Sequence, residues 1–262
     1  MKILFFGDIE GKIGRLGISQ ALPKLKEKYQ PDIIIANVEN LAHGKGVTHK
    51  TLTEMKDIGI NLFTSGNHVW KKADVKESEK ESKTTLITPS NDPRTAEGDG
   101  YKVIEANNEK LLVINLLGRV FIDEEDLRCP FKEAQEIINK HKNIKNILID
   151  FHAEATSEKV ALGWYLDGKI SILIGTHTHV PTADLKTLPK GSGYITDIGM
   201  VGPTDSVIGV KKEIIIDKFL NDSKIVFKIP ETGEVEINGL FIELNKEGKI
   251  KEIEKIYKTV II

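Results

Sequence analysis

Ile170-Ser171-Ile172-Leu173-Ile174-Gly175-Thr176-His177-Thr178-His179 is the stretch that decides how this chain is read. Its apolar start, rich in β-branched residues, predicts a buried strand. The strand runs out at two histidines spaced i, i+2, and in extended chain alternate side chains point the same way. The same succession of strand and then chemistry recurs four more times. Asp8 follows 3–6, Glu39-Asn40 follows 33–38, Asn67-His68 follows 62–65, and His152 follows 147–151. Five strand ends therefore carry acid/base or metal-capable side chains.

Outward from these points the chain alternates short apolar runs with longer amphipathic ones, the pattern of β-α units feeding a largely parallel sheet. Strands are predicted over 3–7, 33–38 and 62–65, with helices over 14–29 and 48–58 between them. A charged helix is predicted over 71–83, one face of it solvated, followed by a loop over 89–100. Strands over 101–106 and 111–116 flank Asn107-Asn108-Glu109-Lys110, a hairpin turn. Further on come a helix over 123–141, strands over 147–151 and 170–174 with a short helix over 157–166 between them, and a late hairpin of 235–244 with 250–259. After Asp197 the signal weakens. Gly191-Ser192-Gly193 and Gly199-Met200-Val201-Gly202 lack the spacing of a phosphate-binding loop and are read as turns. The two halves place their motifs alike, which points to two packed sheets within one domain spanning 1–262.

Composition narrows the function. With 37 basic and 39 acidic residues the net charge is −2, no excess for holding an extended nucleic acid backbone. One cysteine, Cys129, excludes an internal disulfide and a thiolate cluster. Together with the lack of an apolar stretch long enough for a signal peptide or membrane span, this makes a cytoplasmic protein without membrane attachment the expectation.

In open α/β sheets the carboxyl ends of strands converge on one crevice. Residues far apart in sequence can meet there. A pair of divalent cations about 3.5–4 Å apart needs a bridging carboxylate, several O and N ligands, and open positions for water and substrate. Asp8, Glu39, Asn40, Asn67, His152, His177 and His179 supply those donors. Two divalent cations against two carboxylates leave a formal charge near +2, which favours hydroxide and a phosphate oxyanion.

The stretches Phe6-Gly7-Asp8-Ile9-Glu10-Gly11, Asn37-Val38-Glu39-Asn40, Ser65-Gly66-Asn67-His68-Val69-Trp70, Asp150 through Lys159, and Gly175-Thr176-His177-Thr178-His179-Val180-Pro181 resemble, in that order, those of the calcineurin-like metallophosphoesterases. Over the whole chain they resemble the YmdB-like branch. The resemblance implies an α/β fold, a four-layer α/β/β/α sandwich with mixed sheets. It implies one metal on Asp8, Glu39, Asn40 and His179 and a second on Glu39, Asn67, His152 and His177, with Glu39 as the bridge. It further implies hydrolysis of cyclic nucleotides, 2′,3′-cyclic AMP foremost, by a metal-bridging hydroxide with His68 as general acid. Two departures from the broad superfamily concern the metal: Glu10 replaces a histidine, and Glu39-Asn40 stands where an aspartate bridges. Oxygen replaces nitrogen, and such a donor set suits iron or manganese at least as well as zinc.

Two other function classes stay open on the residues alone: a cyclic-nucleotide-binding regulatory protein on the same fold, and a redox iron protein. His43, in a glycine-rich segment beside Asn40, is a candidate substrate contact. His49 and His141 are read as solvent-facing, and Trp164 and Tyr165 either pack in their helix or stack on a base. The late hairpin either covers the sandwich or offers an edge to a second copy, so a homo-oligomer is a further expectation.

Overall fold

The computed structural model describes residues 1–72, 75–222, 224 and 226–262. The chain opens with β1 (Lys2–Phe6), the two-residue β2 (Asp8–Ile9), α1 (Gly11–Tyr29), β3 (Ile33–Asn37), α2 (His49–Asp57), β4 (Leu62–Thr64) and α3 (Val75–Ser82). Next come β5 (Tyr101–Ala106), β6 (Glu109–Leu117), α4 (Pro130–Lys140), β7 (Asn146–His152), α5 (Thr156–Leu166) and β8 (Ile172–Thr176). Short strands β9 (Lys186–Thr187), β10 (Gly193–Ile195) and β11 (Met200–Pro203) precede α6 (Lys212–Asn221) and the long hairpin β12 (Glu234–Leu244) and β13 (Ile250–Ile261).

Two mixed sheets result. The first runs β2-β11-β12-β1-β3-β4 with β13 paired to β12, and the second runs β5-β6-β7-β8-β10-β9. β1, β3 and β4 are mutually parallel, as are β6, β7, β8 and β10. Each set therefore sends its carboxyl ends to one edge. Alternation along the strands divides the apolar residues into three strata. Leu4 and Phe6 of β1 pack with Ile18 and Leu22 of α1 and Leu52 and Met55 of α2. Their neighbours Ile3 and Phe5 face the opposite way and meet Val113, Leu148 and Ile172 between the sheets. Beyond, Leu112 and Ile149 pack with Ala134 and Ile137 of α4 and Leu162 of α5. Three apolar strata make the expected four layers, α/β/β/α, and each fully buried Ile, Leu or Phe contributes about 1.5–3 kcal/mol.

Local chemistry sets the element ends. In α1 the buried residues Ile18, Leu22, Leu25 and Tyr29 recur at helical spacing, and Pro23 falls on an exposed position between them. Thr48 caps α2 through a reciprocal exchange with Thr51, so the helix starts one residue later than predicted. Asn107 and Asn108 both take positive φ, +50° and +62°. They alone form the turn, since Ala106 pairs with Glu109 and Glu105 with Lys110. The helix predicted over 123–141 is shorter than read, because Pro130 with its locked φ opens it at the first helical position. The charged helix predicted over 71–83 is instead a 3-10 turn at Asn67–Lys71 followed by α3; positions 73 and 74 lie outside the described residues.

The segment read as turns after 190 is richer than that. Gly193 opens β10, and Met200–Pro203 pairs with both β2 and β12. Strands of three or four residues are too short to show a period. No helix among the described residues is long and apolar enough to cross a membrane.

Candidate active site

Both parallel sets end at the same place. Asp8 starts β2 just beyond β1, Glu39 and Asn40 follow β3, Asn67 follows β4, His152 ends β7, and His177 and His179 follow β8. Asp8, Glu39, Asn40 and His152 are buried, and Asn67, His177 and His179 are partly so. Glu39 Oε2 lies 3.2 Å from His152 Nε2, and His152 Nδ1 is 3.6 Å from Asp8 Oδ1. The second Asp8 oxygen accepts the His177 backbone N–H at 3.2 Å. His177 Nδ1 stands 3.0 Å from His152 Nε2, and His179 Nε2 stands 3.2 Å from Asn40 Nδ2. Among the described residues two groups able to hold a cation emerge, Glu39 with His152 and His177, and Asp8 with Glu39 and His179. Glu39 belongs to both.

The donors fit such ions. Asp8 Oδ1 and Asn67 Oδ1 are buried without a hydrogen-bond partner, an arrangement that leaves desolvated acceptors uncompensated. Neighbouring imidazole nitrogens meanwhile face one another rather than separate donors. All are oxygen or nitrogen, with no thiolate. Gly66 allows the convergence: a Cβ there would stand 2.3 Å from both Glu39 Oε2 and the His152 ring.

Burial and charge pull these groups apart. Burial pushes the Glu39 carboxyl up, but the charge and hydrogen bonds of His152 and His68 outweigh it and hold Glu39 well below the usual range. For His152 burial works downward, while Glu39, Asp8 and Asp150 raise it to about 9. Burial and the adjacent His152 lower His177 to about 3. Burial raises Asp8, raises Glu10 well above its ordinary value with help from Glu39 and Asp8, and brings Asp150 to about 6. Opposed shifts packed this closely are characteristic of functional sites.

A buried relay orients His152. Its Nδ1 donates to Thr176 Oγ1 at 2.9 Å, and that hydroxyl donates to Asp150 Oδ1 at 2.7 Å. Asp150 Oδ2 accepts from Asn37 Nδ2 at 3.0 Å, while Asn37 Oδ1 accepts the Glu39 backbone N–H at 3.1 Å. His152 is thereby fixed with Nε2 toward Glu39, the arrangement in which an outer partner sets a histidine's tautomer.

His177 and His179 do not obey the alternation read from their spacing. Their φ values are +100° and +65°, so the segment is a strained loop rather than extended chain. Each ring is held separately: His177 Nε2 lies 3.0 Å from Glu154 Oε2, and His179 Nδ1 donates to the Ile208 carbonyl at 2.9 Å. Beneath the loop sits a fully buried ion pair, Lys159 Nζ to Asp197 Oδ2 at 2.7 Å. Lys159 also donates to the Thr176 carbonyl, and Asp197 accepts the backbone N–H groups of Thr178 and Gly199. No pattern in the sequence marks Lys159 or Asp197 for this role. A lysine on a helix carries no pattern that marks it as buried.

The remaining histidines separate cleanly. His68 Nδ1 is 3.2 Å from Glu39 Oε1 and 3.0 Å from Asn40 Oδ1, and His68 and His43 both line the cavity that opens beside the cluster. His49 is half-exposed near Glu81, as expected. His141 is only partly exposed: its Nδ1 donates to the Ile137 carbonyl and its ring packs edge-on against Tyr101, closing the end of α4. Trp164 and Tyr165 are exposed on α5 and do not line the cavity.

Residues 4–256 match the model of the YmdB-like protein family. The 2′,3′-cyclic-nucleotide 2′-phosphodiesterase of Bacillus subtilis (strain 168) is 44% identical over 258 residues, covering 98% of this chain and 96% of that one. A novel phosphatase of Mycoplasma pneumoniae, known from its crystal structure, superposes with a TM-score of 0.91 at 39% identity, covering 99% of this chain and 93% of its own. The calcineurin-like phosphoesterase YfkN from Bacillus subtilis shares the fold with a TM-score of 0.59 at 11% identity, over 99% of this chain and 90% of that one. By the span of the family match and the identity of these relatives, the chain belongs to the YmdB-like family and has the calcineurin-like phosphoesterase fold.

Proposed function

We propose that this chain is a phosphodiesterase with a dinuclear metal centre that opens nucleoside 2′,3′-cyclic phosphates, acting as one domain over 1–262. The observation that carries the reading is Glu39, shared by two groups of ligand-capable side chains, with the imidazole of His68 against its free oxygen. Asp8, Glu39, Asn40 and His179 would hold one ion, and Glu39, Asn67, His152 and His177 the other; the oxygen-rich set favours iron or manganese. Bound there, such ions acidify water and neutralise phosphoryl charge.

The side chains account for the rest of the reaction. Glu39 Oε1 and Asn40 Oδ1 engage His68 Nδ1, so Nε2 is the nitrogen left for substrate. Water adds its oxygen to phosphorus as the P–O2′ bond breaks, His68 gives its proton to O2′, and the proton released by the water returns through solvent to His68, leaving a 3′-nucleotide. The choice of the 2′ bond follows the activity for which the Bacillus subtilis relative is named. A small substrate also accords with the net charge of −2.

Protein loaded with Mn²⁺ or Fe²⁺ should convert 2′,3′-cyclic AMP to 3′-AMP and act more slowly on 3′,5′-cyclic AMP. His68→Ala should keep its metal and lose roughly 10²- to 10⁴-fold in kcat, with a smaller loss on a chromogenic diester whose leaving group needs no proton. Full metal loading with tight nucleotide binding but no product would replace the hydrolytic reading with a regulatory one. Unchanged kcat in His68→Ala would remove that residue from proton transfer.

A further inference from the structure

A cavity of about 420 Å³ opens beside the proposed metal ligands, a size typical of small-molecule sites. One wall carries Asn40, His68 and His179. The other is apolar, formed by Ile208, Val210, Phe227 and Ile229. A ligand suited to it has a charged end at the histidines and a flat, apolar end opposite. Phe227 is half-exposed on that wall, and Lys45, whose Nζ lies 5.5 Å from the ring centroid, brings positive charge to the same space.

Glu10 supplies the polar contact. It is 4% exposed and lines the cavity, yet its Oε2 has no hydrogen-bond partner. Its carboxyl is closely held: a Cβ on Gly44 would stand 2.7 Å from Oε1, and one on Gly209 would stand 2.8 Å from Cγ. Both glycines also have positive φ, so the chain around Glu10 packs tightly while one oxygen stays unmatched. A buried polar atom in this position asks for a partner from the ligand.

We propose that this cavity is the nucleoside subsite, with Phe227 stacking on the base and Glu10 Oε2 hydrogen-bonding an N–H or O–H of the nucleoside. The assignment rests on the phosphodiesterase reading above and adds to it the residues that distinguish a nucleotide from a bare cyclic phosphate. The test compares 2′,3′-cyclic AMP with glycerol 1,2-cyclic phosphate, which has the same five-membered phosphate ring and no base. It also measures 3′-AMP binding by calorimetry in wild type, Phe227→Ala, Phe227→Trp and Glu10→Gln.

Phe227→Ala should raise the ratio of KM for 2′,3′-cyclic AMP to KM for glycerol cyclic phosphate by roughly 5- to 150-fold, the range for loss of one base–aromatic stack. It should weaken 3′-AMP binding by a similar factor, and Phe227→Trp should restore both. Glu10→Gln, whose amide oxygen still accepts but without the charge, should weaken 3′-AMP by less than Phe227→Ala does and leave the stack in place. A KM ratio and 3′-AMP affinity within about twofold of wild type in Phe227→Ala would overturn the assignment. Wild type that opens neither cyclic phosphate would sink the catalytic reading instead, and the 3′-AMP affinities would still decide the subsite.

Discussion

Glu39→Gln should lower kcat for 2′,3′-cyclic AMP by roughly 10²- to 10³-fold or more, the scale of losing one preorganised charged group at a reacting centre. Glu39 is the one side chain common to both ligand groups, and it is 1% exposed. The amide fills the same volume and can still accept the His68 backbone N–H, a contact of 3.1 Å in the wild type. What it removes is the negative charge that opposes the cost of burying His152 and any cation beside it. Metal content measured by atomic absorption should fall together with kcat, and the thermal midpoint of the metal-free protein should fall as well, because His152 loses its buried counter-charge. Turnover near wild type with both sites filled would show that Glu39 is not the bridge.

The second large effect concerns a residue that touches no candidate ligand with its side chain. Lys159→Met should cost about 3–5 kcal/mol, since it strands the buried carboxylate of Asp197 without its cation. For a chain of this size that lowers Tm by on the order of 10 °C. Removing both charges should behave differently. A buried pair replaced by apolar residues is often neutral or better for stability, so Lys159→Met with Asp197→Leu should regain much of the loss in thermal unfolding.

That double variant should nevertheless bind metal roughly 10- to 100-fold more weakly, the usual cost of losing an outer partner. Asp197 holds the backbone N–H of Thr178 between the two histidines, and Lys159 holds the Thr176 carbonyl before them. Chelator must be present in the stability measurement, because bound metal adds its own stabilisation. A double variant that recovers stability and retains wild-type metal affinity would reduce the pair to an ordinary core contact.

These two residues mark the boundary of what could be read without coordinates. Glu39 was legible because the strand before it is apolar apart from Asn37, as befits a strand buried on both faces of a parallel sheet, and the acidic residue follows directly where that run ends. The same logic found Asp8, Asn67, His152, His177 and His179, and resemblance supplied their grouping. Lys159 was not legible, because nothing in its helix distinguishes a buried lysine from a solvated one. The pairing of His177 with His179 was read correctly as a shared location but for the wrong reason. A left-handed backbone and separate anchors at Glu154 and Ile208 place the rings, where strand alternation was expected to.

Elements followed the same division. Long apolar runs such as 33–38 and 147–151 became strands within a residue or two of their reading, and the Asn107-Asn108 turn followed from residues that tolerate positive φ. By contrast β10 and β11 hold three and four residues, and only pairing with neighbours makes them strands. α4 starts at Pro130 rather than near 123, because the locked φ of proline suits the first helical position.

The sequence by itself determined the α/β class, the order of the principal strands and helices, and the donor atoms available at the strand ends, since these depend on local period and side-chain chemistry. Only the tertiary structure decided that Lys159 and Asp197 brace the loop carrying His177 and His179, and that Glu10 and Phe227 share a cavity with His68. Those relations join residues as much as 217 positions apart, Glu10 to Phe227. No local pattern encodes them, because they arise from how two sheets pack face to face.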